Sequence, residues 1–245
     1  MTNYISNAPL WVIILLIASF LYSISFIANP AKQAVLNSGM TAAKSRNIQL
    51  GIFGFYILYL TYVSILALKG EFYINPVPPK VMIFAGIPLT IILFAIVGNT
   101  SIFKKLLRSI TLESLITIHV FRLLGVFFII LYFYHLLPAD LAFSAGMGDI
   151  ITAIFAWPVA KWVSKRGSWS IKAVYAWNIF GILDIITLLI IVGITIKKSA
   201  VGGGNGGLQE MTIFPFAWFP AFAPATILFL HTIIFRKLQQ IKDAN

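Results

Sequence analysis

The sequence predicts an all-α integral membrane protein, a bundle of seven transmembrane helices with the N-terminus outside and the C-terminus in the cytoplasm. Three observations carry that reading: seven apolar runs of membrane-spanning length, a composition too apolar for a soluble core, and a lopsided placement of Lys and Arg between alternate loops. Of 245 residues, 60% are hydrophobic and 10% charged, and the mean hydropathy is +0.94. A water-soluble domain cannot bury that much apolar surface.

A helix rises about 1.5 Å per residue and needs about 20 residues to cross the hydrocarbon core. The first run of that kind is Pro9–Asn29. It is not a secretion signal, because Met1 to Ala8 carries no Lys or Arg, the run is too long, and no small-x-small site follows it. The second run is Ile48–Leu68, the third Val81–Gly98 and the fourth Thr111–Leu136. After Pro138 the fifth covers Ala139–Val163, the sixth Ile171–Ile196 and the seventh Ile213–Phe235. No loop between them is long enough for a soluble domain, so residues 1–245 read as one transmembrane domain. The Gly202–Gly207 stretch reads as a flexible outer loop. No internal repeat of helix pairs is visible, which speaks against an inverted-repeat transporter.

Orientation follows from the basic residues. Lys32, Lys44 and Arg46, then Lys104, Lys105 and Arg108, then Lys161, Lys165, Arg166 and Lys172, and finally Arg236, Lys237 and Lys242 all fall on one side. Only Lys69, Lys80, Lys197 and Lys198 fall on the other. The first group marks the cytoplasmic face of a multi-pass protein of the cell (inner) membrane. The formal charge of +11 is therefore a topology signal and a contact for anionic lipid, not a nucleic-acid surface. With no cysteine, thiolate metal sites, disulfides and cysteine nucleophiles are excluded.

Function is carried by the polar residues taken into the bilayer. Arg122 lies near the middle of the fourth run, and Asp149 and Asp184 lie at the middles of the fifth and sixth. Each charge costs about 2.5–3.5 kcal/mol at a lipid-facing helix centre, so all three are expected to turn inward and pair. Ala142, Ala145, Gly146, Gly148 and Ala153 give the fifth run a small face around Asp149. One plus and two minus leave a net negative charge, which calls for a proton on one aspartate, a bound cation, or a protonated His119. The expectation is that one aspartate pairs with Arg122 while the other is protonated or cation-linked.

A second polar layer is formed by His119, three residues before Arg122, with Asn178 in the sixth run and His231 in the seventh. His135, among Tyr132 and Tyr134, reads as an interfacial residue. Pro215, Pro220 and Pro224 are expected to kink or break the outer half of the seventh helix.

The reading that follows is a membrane protein binding a small ligand or ion at Arg122, Asp149, Asp184, His119, Asn178 and His231, linked to transport or sensing. Its alternatives are a haem or quinone redox protein with His119 and His231 as axial ligands, and an intramembrane enzyme using the Asp and His groups. A purely structural clasp of the three charges is the plainest alternative. Enzyme motifs are missing: there is no HExxH pair, Gly-rich phosphate loop or Gly-x-Ser-x-Gly elbow, and the sequence specifies no metal or other cofactor. The layout alone resembles rhodopsins and G-protein-coupled receptors, a likeness of topology without a motif. The seventh run has no lysine for a retinal Schiff base.

Overall fold

The computed structural model describes residues 4–73, 78–164, 168–202 and 207–243. Besides a short 3-10 turn at Gln209–Thr212, these residues form eight helices: α1 (Leu10–Asn37), α2 (Ala42–Leu68), α3 (Met82–Asn99), α4 (Ser101–Ser109), α5 (Leu112–Phe133), α6 (Ala139–Ser164), α7 (Ser168–Gly202) and α8 (Trp218–Asp243). All but α4 are long and apolar enough to cross a membrane. They correspond one for one to the seven predicted runs. The predicted glycine loop and the basic residues Lys165 and Arg166 fall largely or wholly outside the described residues.

Helix ends depart from the predicted boundaries for local reasons. α1 does not stop at Asn29 but continues through Pro30 to Asn37, because Ala34 and Val35 bury beyond the proline. α2 begins at Ala42, where the Thr41 side chain accepts a bond from the Lys44 amide at 3.3 Å. α5 ends at Phe133 rather than Leu136. His135 has φ +56°, and its amide bonds the Tyr132 carbonyl while the Leu136 amide bonds that of Leu131, a Schellman stop.

The largest correction concerns the prolines of the last helix. α8 starts at Trp218, so Pro215 lies before it and Pro220 sits in its first turn, where an amide would have no intrahelical partner. Only Pro224 is interior. The carbonyl that Pro224 leaves unbonded, that of Pro220, abuts Gly86 of α3, where a Cβ would lie 3.3 Å from it.

α8 and α5 are the most enclosed helices and α7 the least. α8 is tied to α2 by the Tyr59 hydroxyl, which donates to the Ala221 carbonyl (2.9 Å), and by the Trp218 indole, which donates to Ser64 (2.9 Å). At the N-terminal end, the Ser6 amide bonds the Phe214 carbonyl (2.8 Å) and the Phe214 amide that of Tyr4 (3.0 Å). The Ser6 hydroxyl also donates to the Glu210 carboxylate. Burial pushes the Glu210 carboxyl above its ordinary range, and the Ser6 hydrogen bond offsets part of that shift.

Candidate functional site

α5 is not a uniform helix. Between two α-helical segments, His119–Gly125 winds as a 3-10 helix with about three residues per turn. That winding places His119, Arg122 and Gly125 in one row, and all three are buried. The row faces α6, and the two helices meet through glycines: a Cβ on Gly125 would lie 2.9 Å from the Gly146 carbonyl, and one on Gly146 would lie 2.9 Å from that of Gly125. The small face expected on α6 is thus used for close approach, with Ala142, Ala145 and Ala153 buried around it.

Close approach lets a short carboxylate reach the guanidinium. Arg122 is 1% exposed and Asp149 4%; the Arg122 Nε donates to Asp149 Oδ1 at 2.6 Å. A second guanidinium nitrogen, Nη2, pairs with Asp184 of α7. Asp184 occupies the space that a Cβ on Gly148 would fill, so this glycine is its seat. Both aspartates therefore pair with Arg122, where one was expected to stand apart. With both aspartates ionised the count would be one plus and two minus.

The remaining nitrogen, Nη1, donates to the ring Nε2 of His231 (3.1 Å) and to the Gly181 carbonyl (3.4 Å). A guanidinium can only donate, so His231 Nε2 is an acceptor and Nδ1 carries the proton. That proton is given to Asn178 Oδ1 at 2.8 Å, and Asn178 Nδ2 donates back to the His231 carbonyl at 3.1 Å. The chain Asn178–His231–Arg122–Asp149/Asp184 is one connected network across α5, α6, α7 and α8. His119 packs against His231 with ring centroids 4.1 Å apart and planes tilted by 35°, and meets Trp177 edge-on at 5.1 Å. Both its ring nitrogens lack a hydrogen-bond partner among the described residues.

All six sequence-predicted residues thus meet in one place. The arrangement does not fit the haem alternative: rings 4.1 Å apart leave no room for a porphyrin between them, and both nitrogens of His231 are engaged. Among the described residues no group of three His, Cys, Asp or Glu is placed to hold a metal. Sequence reasoning missed Gly125 and Gly181. Gly181 admits the His231 ring, which a Cβ would overlap; its spacing of three from both Asn178 and Asp184 was the available signal.

A cavity of about 300 Å³ opens above the network, towards the N-terminal end, between α3, α7 and α8. Met82, Phe128, Leu188, Met211 and Phe219 are among the apolar residues that line it. Asp149 is the one charged residue on its wall among the described residues. Pro220 and Pro224 of α8 also face it.

The family model described as Domain of unknown function (DUF8737) matches residues 78–239, more than half of the chain, and takes in all six residues of the network. No curated protein and no solved structure matches the chain.

Proposed function

We propose, for a chain that belongs to the DUF8737 family, that it is a multi-pass protein of the cell membrane, N-terminus outside, which binds a small, largely apolar cation against the Arg122–Asp149–Asp184 network and couples that binding to transport or sensing. The observation that carries this reading is the double position of Asp149. Its carboxylate holds Arg122 at 2.6 Å and also forms the one charged point on the wall of an otherwise apolar cavity. Ligand sites are mostly apolar with a few placed polar groups, and an ionisable residue at membrane depth marks function more often than scaffold.

The chemistry follows from charge. With both aspartates ionised the network lacks one positive charge, and a cation entering the cavity supplies it beside Asp149. Arg122 stays compensated throughout, because Asp184 remains paired with its Nη2. The occupant also touches Pro220 and Pro224, the part of α8 with the weakest internal hydrogen bonding, so binding acts on the helix most able to change shape.

Gly193 provides the test. It lines the cavity, and a Cβ there meets nothing within 4 Å, so Gly193→Leu fills the cavity without touching the network. Thermal unfolding in detergent is measured with butyl- to octylamines and with alkyl carboxylates of matched length. Stabilisation by the amines alone, absent in Gly193→Leu at unchanged basal stability, is the expected result. Equal effects of amines and carboxylates, or amine effects unchanged in Gly193→Leu, would overturn the reading.

A further inference from the structure

At the C-terminal end a second cavity of about 560 Å³ lies between α1, α2, α3, α5 and α8, roofed by α4. Gly51 and Phe55 of α2, Phe103 and Leu107 of α4, and Thr226 and Phe229 of α8 are among its walls, and no described lining residue is charged. α4 is amphipathic: Leu107 is buried beneath it, Lys105 and Arg108 are exposed away from it, and Lys104, also exposed, lies on the flank that Leu107 shares. The Lys237 ammonium donates to the Leu107 (3.1 Å) and Arg108 (2.9 Å) carbonyls, which pins the end of α4 to α8.

Phe103 and Leu107 also line an adjoining groove of about 380 Å³ that is polar. Its walls carry Lys104, Arg236, Gln239, Gln240 and, at the edge, Asp243. Arg236 is held by the Gly98 carbonyl at 3.5 Å, and neither it nor Lys104 pairs with a carboxylate among the described residues. The apolar cavity therefore lies beside a groove that carries one acid and two cations without a carboxylate partner among the described residues, and Phe103 and Leu107 border both.

Depth identifies the occupant. Thr226 is ten residues before Arg236, about 15 Å along α8, which is half the roughly 30 Å hydrocarbon core. The cavity thus runs from headgroup level to mid-bilayer, the reach of one acyl chain in one leaflet. Exposed Gly51 opens it sideways between α2 and its neighbours. We propose that this end of the bundle binds one anionic glycerophospholipid, with an acyl chain in the apolar cavity and its phosphate between Lys104 and Arg236. The site is separate from the Arg122 network and does not depend on its function.

The full chain, reconstituted in discs of equal dioleoyl phosphatidylglycerol and dioleoyl phosphatidylcholine, is released into native mass spectrometry and its retained lipid is identified. Retention of one phosphatidylglycerol in preference to phosphatidylcholine is expected. Lys104→Gln and Arg236→Gln each lower that preference about fivefold, and Asp243→Asn raises it. Gly51→Leu abolishes retention, since a side chain there enters open space in the cavity and leaves the fold intact. Gly193→Leu, an equal apolar addition at the other cavity, leaves retention unchanged. Equal retention of the two lipids by the wild type, unchanged retention in Gly51→Leu, or loss in Gly193→Leu as well as Gly51→Leu would overturn the proposal.

Discussion

The two cavities are mirror images in charge. The one towards the N-terminal end has apolar walls with a carboxylate at its inner side, Asp149; the one towards the C-terminal end is apolar inside and has its cations, Lys104 and Arg236, in the groove at its mouth. A charge at the mouth is solvated, so the molecule that fits leaves its own charge at the interface. A charge inside is not, so the molecule that fits must carry a compensating charge into the bundle.

The sharpest way to break the comparison is to remove the compensation at the first site. Arg122→Leu leaves the buried Asp149 and the part-buried Asp184 without their cation, and the double variant Asp149→Asn/Asp184→Asn leaves a buried guanidinium unpaired. Each should cost about 3–5 kcal/mol, read as a large fall in unfolding temperature. Lys104→Gln, whose cation is exposed, should leave unfolding temperature unchanged. Should Arg122→Leu prove as mild as Lys104→Gln, the inner charges are not held as described.

Glycine substitutions sharpen the same contrast at a smaller scale. Gly148→Ala forces Asp184, and Gly181→Ala forces His231, out of positions fixed by Arg122 and Asn178. A loss of about 1–3 kcal/mol is expected for each. Gly51→Ala and Gly193→Ala enter open space in the two cavities and should cost nothing measurable. A Gly193→Ala variant as unstable as Gly148→Ala would mean that the first cavity is filled by protein.

The smallest effect concerns Glu210, whose neighbours Met211 and Thr212 line the first cavity. Because burial raises its folded-state value, the folded protein holds the proton more tightly than the unfolded chain. Its contribution is fully present below the ordinary glutamate range and is lost as pH rises through the raised value. Wild-type stability should therefore fall with pH relative to Glu210→Gln. A constant difference between the two would contradict the burial of Glu210. Ser6→Ala should cost about 1 kcal/mol, the usual value of one hydrogen bond.

The spans were legible because an uninterrupted apolar run of about 20 residues seldom arises except in a helix that crosses a bilayer. Their ends were not, because hydropathy marks the edge of the hydrocarbon slab and not the end of the helix. α1 runs past Pro30, α2 reaches back to its Thr41 cap, and α8 continues to Asp243 through Arg236 and Lys237. Pro215 and Pro220 were misplaced for the same reason: the apolar run begins at Ile213, five residues before the helix. In the site, the charged residues announced themselves by their depth, and His119 and Arg122 share a face under either α or 3-10 winding. The 3-10 winding itself left no mark in the sequence. Gly125 left no mark as a seat for a neighbouring group and Gly181 only its spacing from Asn178 and Asp184, since glycine is common in membrane helices and only the packed partners show what a Cβ would strike.

The central claim is that the network is one positive charge short, and it is tested most directly by comparing unfolding temperature across pH for wild type, Asp149→Asn and Asp184→Asn in the same lipid discs. Because both aspartates reach Arg122, either single variant keeps one plus and one minus, and each should fold. The expected result is a pH response in the wild type, beyond that of Glu210, which both single variants lose. The same pH response in all three proteins would contradict the account, and leave Arg122 and its two carboxylates as a clasp between helices.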